Sequence, residues 1–280
     1  MRETMNEDWE NYWSGVGVYW KTHQPDRLWR RFADHLQVGW IERCLPKLTD
    51  SNQTQSRQLL KTDLFDEVAG DGIVSHLQAA GWIVTGVDIS AMIVAETAAR
   101  FPELKGVVAD VRSLPFEDCS FDVVFSGSTL DHFESSHDIE VSLQELVRVL
   151  CPGGTLILTL DNLANPLVFI RNGPILQFLR RCGIVPYQVG VTVGPNRLAR
   201  MVQKAGLVIA EKTAIMHVPR VIAVAIAKRL QRSRPQVQQA FLRYLANWEW
   251  LEHWPTRFIT GYYIAIHATK PLDLPRSNSE

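Results

Sequence analysis

Three acids, Asp66, Asp88 and Asp110, each follow a short apolar run rich in β-formers. After the first comes a turn, Asp66-Glu67-Val68-Ala69-Gly70-Asp71-Gly72, and then apolar residues at helical spacing from Ile73 to Ala80. A strand, a glycine turn and a helix put free backbone N–H groups at the carboxyl edge of a parallel sheet, where open α/β folds hold their ligands. Gly70 and Gly72 let the backbone approach such a ligand closely. Asp88 closes the second run, Trp82 to Val87, with Ile89 beside it, and is placed for ribose hydroxyls. Asp110 closes a third run, where its carboxylate can accept from an exocyclic adenine amine and Val111 can flank the ring. Ser126 ends a fourth run and offers a hydroxyl at the same edge.

Two cofactor classes use this arrangement. A dinucleotide fold wants G-x-G-x-x-G with an acid about 20 residues on. Gly70-Asp71-Gly72-Ile73-Val74-Ser75 half-fits, but Asp71 would set a carboxylate against a pyrophosphate. S-adenosylmethionine carries no phosphate, and its amine and sulfonium are cations, so an acidic turn suits it.

The bulk composition narrows the partners. The chain has 280 residues, 46% hydrophobic and 21% charged, with a net charge of -1. No global field favours a polyanion, so nucleic acid is not an expected partner. Cys44, Cys119, Cys151 and Cys182 are scattered, which argues against a zinc site or disulfide framework and for a reducing compartment. The histidines lack ligand spacing, so no metal is expected. The acidic, aromatic N-terminus lacks a secretory h-region, and no apolar run reaches the roughly 18 residues of a membrane span. These features give a cytoplasmic expectation.

The elements that would position these residues follow in order. Residues 1–46 look helical and carry Trp9, Tyr12, Trp13, Tyr19, Trp20, Trp29 and Trp40. Pro25 to Leu45 has the spacing of one amphipathic helix. This segment either packs on the sheet or covers the ligand, with Tyr12 or Trp13 facing a sulfonium. Residues 1–58 form the helical cover and a polar linker, 59–270 the main domain, and 271–280 a frayed tail. Strands are expected at Leu104–Ala109, Ser120–Ser126, Thr155–Leu160, Gly206–Met216 and Phe258–Ala268, with helices at Ser90–Arg100, Asp138–Leu150 and 195–206. Insertions 163–192 and 218–257 interrupt the alternation; the second holds two helices split near Ser233-Arg234-Pro235.

In this order, DLFDEVAGDG, GVDIS, ADVRSLPFEDCSFDVVFS and ELVRVLCPGGTLILTL resemble the class I S-adenosylmethionine-dependent methyltransferases, and the methyltransferase type 11 group in particular. Val68 departs from that family by taking the first glycine place of D-x-G-x-G-x-G. The resemblance implies an α/β, Rossmann-like sheet of seven strands, ordered 3-2-1-4-5-7-6 with the last antiparallel, flanked by helices. It also implies a cofactor half lined by Asp66, Val68, Gly70, Gly72, Asp88, Ile89, Asp110, Val111 and Ser126. Asp131, His132, Asp161, Asn162, His217, Trp254 and Arg257 then fall on the acceptor half, with the insertions as a lid.

Methyl transfer from a sulfonium needs alignment and exclusion of water. A hydroxyl acceptor also gains from a base, for which His132 and His217 are candidates. Asp131, Asp161, Asn162 and Trp254 are substrate-side candidates, and Arg257 could clamp a carboxylate or phosphate. The acceptor is expected to be a small, partly apolar molecule. The lid mixes apolar runs with arginines, which also suits transient membrane-surface contact. The competing readings are a non-catalytic fold module that binds a protein partner and a nicotinamide-dependent oxidoreductase.

Overall fold

A computed structural model of the chain describes residues 2–23, 26–46, 57–173 and 190–272. Its centre is one seven-stranded sheet, in order β3-β2-β1-β4-β5-β7-β6. The strands are β1 Gln58–Thr62, β2 Ile83–Asp88, β3 Lys105–Val108, β4 Phe121–Gly127, β5 Leu150–Asp161, β6 Val208–Ile215 and β7 Tyr263–Thr269. The β1–β2, β1–β4, β2–β3 and β4–β5 pairs are parallel, and β7 is antiparallel to both β5 and β6. Runs such as Leu156-Ile157-Leu158, buried on both faces, are what a sheet covered by helices requires.

One face is covered by α6 Ser136–Val149 and α8 Pro195–Lys204, through Ile139, Leu143, Leu146, Leu198 and Val202. The other carries α2 Arg27–Cys44, α4 Val74–Ala79 and α5 Ala91–Arg100, through Trp40, Ile41, Leu77 and Ile93. Ser90 caps α5 by accepting from the Ile93 N–H at 3.3 Å. The second insertion folds as α9 Arg220–Leu230 and α10 Pro235–Ala246, which pack with the start of α2 around Trp29, Phe32, Val218, Ala223 and Leu245. Of the first insertion, α7 Pro166–Asn172 is described, with Asn165 as its cap. The rest of that expected lid, from 174 to 189, lies outside the described residues, as does most of the linker.

Two boundaries differ from the sequence reading. The first strand ends at Thr62, and Leu64-Phe65 leads into a short helix, α3 Phe65–Ala69. The strand therefore contains Lys61, a residue type rarely buried without a partner. Its partner is Glu67, wholly buried, with Oε1 3.5 Å from the ammonium. Lys61 also donates to the Asp63 carbonyl. The expected final strand starts late because Arg257–Thr260 is a helical turn, α11. The Asn162 amide donates to the carbonyls of Phe258 and Gly261, and Asn165 to that of Thr260, at 2.7, 2.9 and 3.0 Å. No local pattern announces side-chain bonds nearly a hundred residues apart in sequence.

The expectation of unpaired cysteines also needs correction: Cys119 and Cys151 form a disulfide. Pairing of Phe121 with Leu150 at the start of β4 and β5 brings the two cysteines together. Cysteine scatter therefore carries no information on compartment. No helix among the described residues is long and apolar enough to cross a membrane.

Removing one member of a buried ion pair strands the other. Lys61→Met should lower unfolding free energy by about 3–5 kcal/mol in a denaturant titration. A loss under about 1 kcal/mol would show that Glu67 is held without it.

Candidate active site

The carboxyl ends of β1 to β4 frame a crevice of about 680 Å³, its open mouth included. Thr62 and Asp63 come from β1, Asp88 and Ile89 from β2, Asp110 to Arg112 from β3, and Thr129, His132 and Phe133 from the turn after β4. Trp13 of α1 Arg2–His23 lines it as well. The Trp13 ring meets Phe65 and His132 edge-on, at 6.1 and 4.6 Å between centroids. Ser14 is fixed to Ser90 at 2.8 Å, so the first helix is tied to the sheet and forms part of the wall.

The crevice walls are apolar, from Val87, Ile89, Ile93, Ala109 and Val111, and its polar side chains include three carboxylates, Asp63, Asp88 and Asp110, beside Thr62, Thr129, Arg112 and His132. Asp88 accepts from the Leu64 and Ser90 N–H groups, both at 2.9 Å. Burial, then repulsion from Asp63, still pushes its pKa up to about 7. Asp63 sits at φ 66°, a left-handed conformation that aspartate tolerates, and accepts from the Phe65 N–H at 2.8 Å. Burial raises its pKa also, although Lys61 opposes the rise. Asp110 is occupied differently: it accepts from the Arg112 backbone at 2.8 Å and from its guanidinium. That guanidinium also stacks over Phe133.

The glycine turn faces elsewhere. The Asp34 carboxylate accepts from the Asp71 and Gly72 N–H groups, both at 3.1 Å. Glu67 accepts from Ile73 at 3.0 Å and Val74 at 3.4 Å. A turn plus a helix start attracts anions, and here the chain supplies two of its own. Gly72 needs its freedom, at φ 70° with Glu67 against it; a Cβ there would come within 1.8 Å of the carboxylate.

Of the nine cofactor-side residues read from sequence, Asp88, Ile89, Asp110 and Val111 line the crevice. Ser126 lies beneath, accepting from the Thr62 hydroxyl at 2.9 Å. Asp66 pairs with Arg30 at 2.8 Å, Val68 packs into the core, and Gly70 and Gly72 bound the internally satisfied turn. Asp63 and Thr62 were missed. Their signal was the strand-end Lys-Thr-Asp, obscured because the lysine looked unburiable.

On the acceptor side, His132 lines the crevice, and neither ring nitrogen has a hydrogen-bond partner among the described residues. Asp131, buried beside it, accepts from the Asp161 N–H at 2.9 Å through one oxygen, and the other has no hydrogen-bond partner among the described residues. Burial, then repulsion from Asp161, pushes the Asp131 pKa up to about 6. Asp161 is paired with Arg171. Asn162 ties down the turn before β7. His217 is buried, with Nδ1 bonded to the Thr260 hydroxyl and Nε2 to the Ala214 carbonyl, both at 2.8 Å. Burial lowers its pKa. Both ring nitrogens are committed to structure, and His217 does not line the crevice. Trp254 is exposed and packs on Trp250; Arg257 reaches the Trp254 carbonyl and stacks over Phe258. Neither belongs to the crevice.

The residues fit a cationic nucleoside. Burial raises the pKa values of Asp63 and Asp88, so a cation placed between them would be stabilised, while the apolar walls match a flat base. A pyrophosphate would meet carboxylates, and the turn that might have held it is filled from within.

Comparison with known proteins agrees. Residues 68–158 match the family described as Methyltransferase domain. The malonyl-[acyl-carrier protein] O-methyltransferase of Enterobacter lignolyticus (strain SCF1) is 34% identical over 136 residues, 49% of this chain and 47% of that protein. The chain thus spans about half the length of this curated relative. Among solved structures, the [4+2]-cyclase SpnF superposes with a TM-score of 0.55 at 20% identity, covering 86% of this chain and 81% of that one. The geranyl diphosphate C-methyltransferase of Streptomyces coelicolor A3(2), solved with S-adenosyl-L-homocysteine, gives 0.54 at 13% identity, covering 84% and 78%. The two structures establish the fold. Residues 68–158 thus match a methyltransferase domain, and they lie on a fold shared with solved proteins that include a methyltransferase.

Proposed function

We propose that this chain transfers the methyl group of S-adenosylmethionine to a small-molecule acceptor bearing a hydroxyl and partly apolar. The observation that carries the cofactor site is the crevice at the ends of β1 to β3, which Asp63, Asp88 and Asp110 line together with apolar walls. In this reading Asp88 takes the ribose, Val111 and Ile89 the adenine, and Asp63 the amine. Asp110 orders the adenine loop through Arg112 rather than through the base alone. The cofactor, when bound, supplies an activated methyl group. The protein aligns the acceptor and keeps water out, and Trp13 provides an aromatic wall for the positive charge.

His132 is the residue placed to take a hydroxyl proton. It lines the crevice, its nitrogens are free among the described residues, and the Asp131 carboxylate beside it would stabilise the imidazolium. The relatives support methyl transfer as a class, and the acceptor is inferred from the site.

A second reading is a fold module that binds the cofactor without transferring its methyl. The internally filled glycine turn and the fold likeness to the cyclase favour it. Calorimetry with S-adenosylmethionine followed by methyl release against an acceptor panel separates the two; binding with no transfer supports the module.

Two outcomes follow. In the free protein Asp88 keeps a proton up to about pH 7, so below that pH cofactor binding must expel it. Affinity for S-adenosylmethionine should rise about tenfold per pH unit up to neutrality and then level off, with the slope absent in Asp88→Asn. A flat calorimetric profile would contradict this. The same raised pKa costs stability: relative to the unfolded chain, the fold holds an extra proton between the ordinary carboxyl range and about 7, so stability from this group falls as pH rises through that window. Second, His132→Asn should cut single-turnover methyl transfer by about 10²–10⁴-fold while cofactor affinity stays within about twofold. Unchanged turnover would remove the base.

A further inference from the structure

Arg220 opens α9 at its first residue, where the helix dipole disfavours a cation. Its guanidinium lies 4.2 Å from the centre of the Tyr262 ring and 6.0 Å from that of Trp29. Among the described residues it makes one hydrogen bond, to the Tyr263 hydroxyl oxygen at 3.3 Å. A guanidinium has five N–H donors, so most remain unspent. Among the described residues no carboxylate lies within 4.0 Å of it; Asp161 and Asp26 act from farther away.

The neighbours are donors too. Arg171 holds Asp161 as its carboxylate and donates to the Tyr262 hydroxyl oxygen at 2.7 Å. Both tyrosine oxygens thus accept from arginine, which leaves both O–H groups to donate. Burial raises both phenol pKa values, so they keep those protons. The result is a side-chain cluster rich in donors and poor in acceptors, backed by aromatic faces. Arg220 and Tyr263 are only partly exposed, so they are not freely hydrated surface groups.

Strand register links this cluster to the crevice. Tyr263 pairs with Asp161 across β5 and β7, and Asp161 is bonded to Asp131, next in sequence to His132. We propose that Arg220, with the hydroxyls of Tyr262 and Tyr263, binds an anionic group of the methyl acceptor, a carboxylate or a phosphate. The clamp role expected of Arg257 then falls to a residue that sequence reading passed over as one arginine of a lid. Calling the ligand the acceptor rests on the methyltransferase reading; the anion site itself does not.

The test separates the two. Tryptophan fluorescence is followed while sodium phosphate, and separately sodium malonate, is titrated at fixed ionic strength into the protein with S-adenosylhomocysteine bound. One of the two should give a saturable change, and which one does so assigns the anion. Arg220→Gln should weaken it at least tenfold, with S-adenosylhomocysteine affinity unchanged. Tyr263→Phe should weaken it about threefold, and it decides the matter if Arg220→Gln does not fold. No saturation with either anion, or equal affinity in the variants, overturns the site. Failure of S-adenosylhomocysteine to bind wild type sinks the methyltransferase reading alone, since the anion titration can be run without it.

Discussion

Lys61 and Glu67 are charges that could not be desolvated singly, and the first half of the sheet is arranged around their meeting. For Lys61 to sit inside β1, the chain must turn at Asp63 and bring Glu67 back beneath it within one short helix. Glu67 then has oxygens left for the first N–H groups of α4, which pulls the glycine turn inward. Asp34 completes that closure from α2. Only then do Asp63 and Asp88 stand side by side at the sheet edge with a shared surplus of negative charge. The position of the ligand crevice is thus a consequence of a buried ion pair, whose own contribution to stability is small beside the cost of breaking it.

The sheet was legible because parallel strands buried on both faces leave long β-rich runs, and because Asp88 and Asp110 close theirs at matching places. The helices were legible from apolar spacing, and α5 from its Ser90 cap. The first strand was not, since Leu64-Phe65 looks more buried than Lys61 to any rule that weighs residues singly. Gly70 and Gly72 were read as serving a ligand; in the structure the Gly72 N–H donates to the Asp34 carboxylate and the Gly70 N–H to the Asp66 carbonyl. His132 and His217 were read alike from sequence; the structure puts His132 at the crevice and spends the nitrogens of His217 on Thr260 and Ala214. The Cys119–Cys151 bond was invisible because it depends on strand pairing.

In the proposed reading, charge divides the two reactants. Asp63, Asp88 and Asp110, at the crevice, would face a cationic donor; Arg220, stacked on Tyr262, would face an anionic acceptor. Asp131 and His132 lie between, where a proton would have to move. Such a layout orients two reactants by electrostatics before any close contact is made, which is most of what displacement at an activated methyl requires.

The most direct test is a crystal structure of the protein with S-adenosylhomocysteine. The nucleoside should lie between Asp63 and Asp110 with its ribose on Asp88, while Asp34 still holds the turn at Gly72. A nucleoside seated on that turn with Asp34 displaced, or a crevice left empty at saturating ligand, would contradict the account.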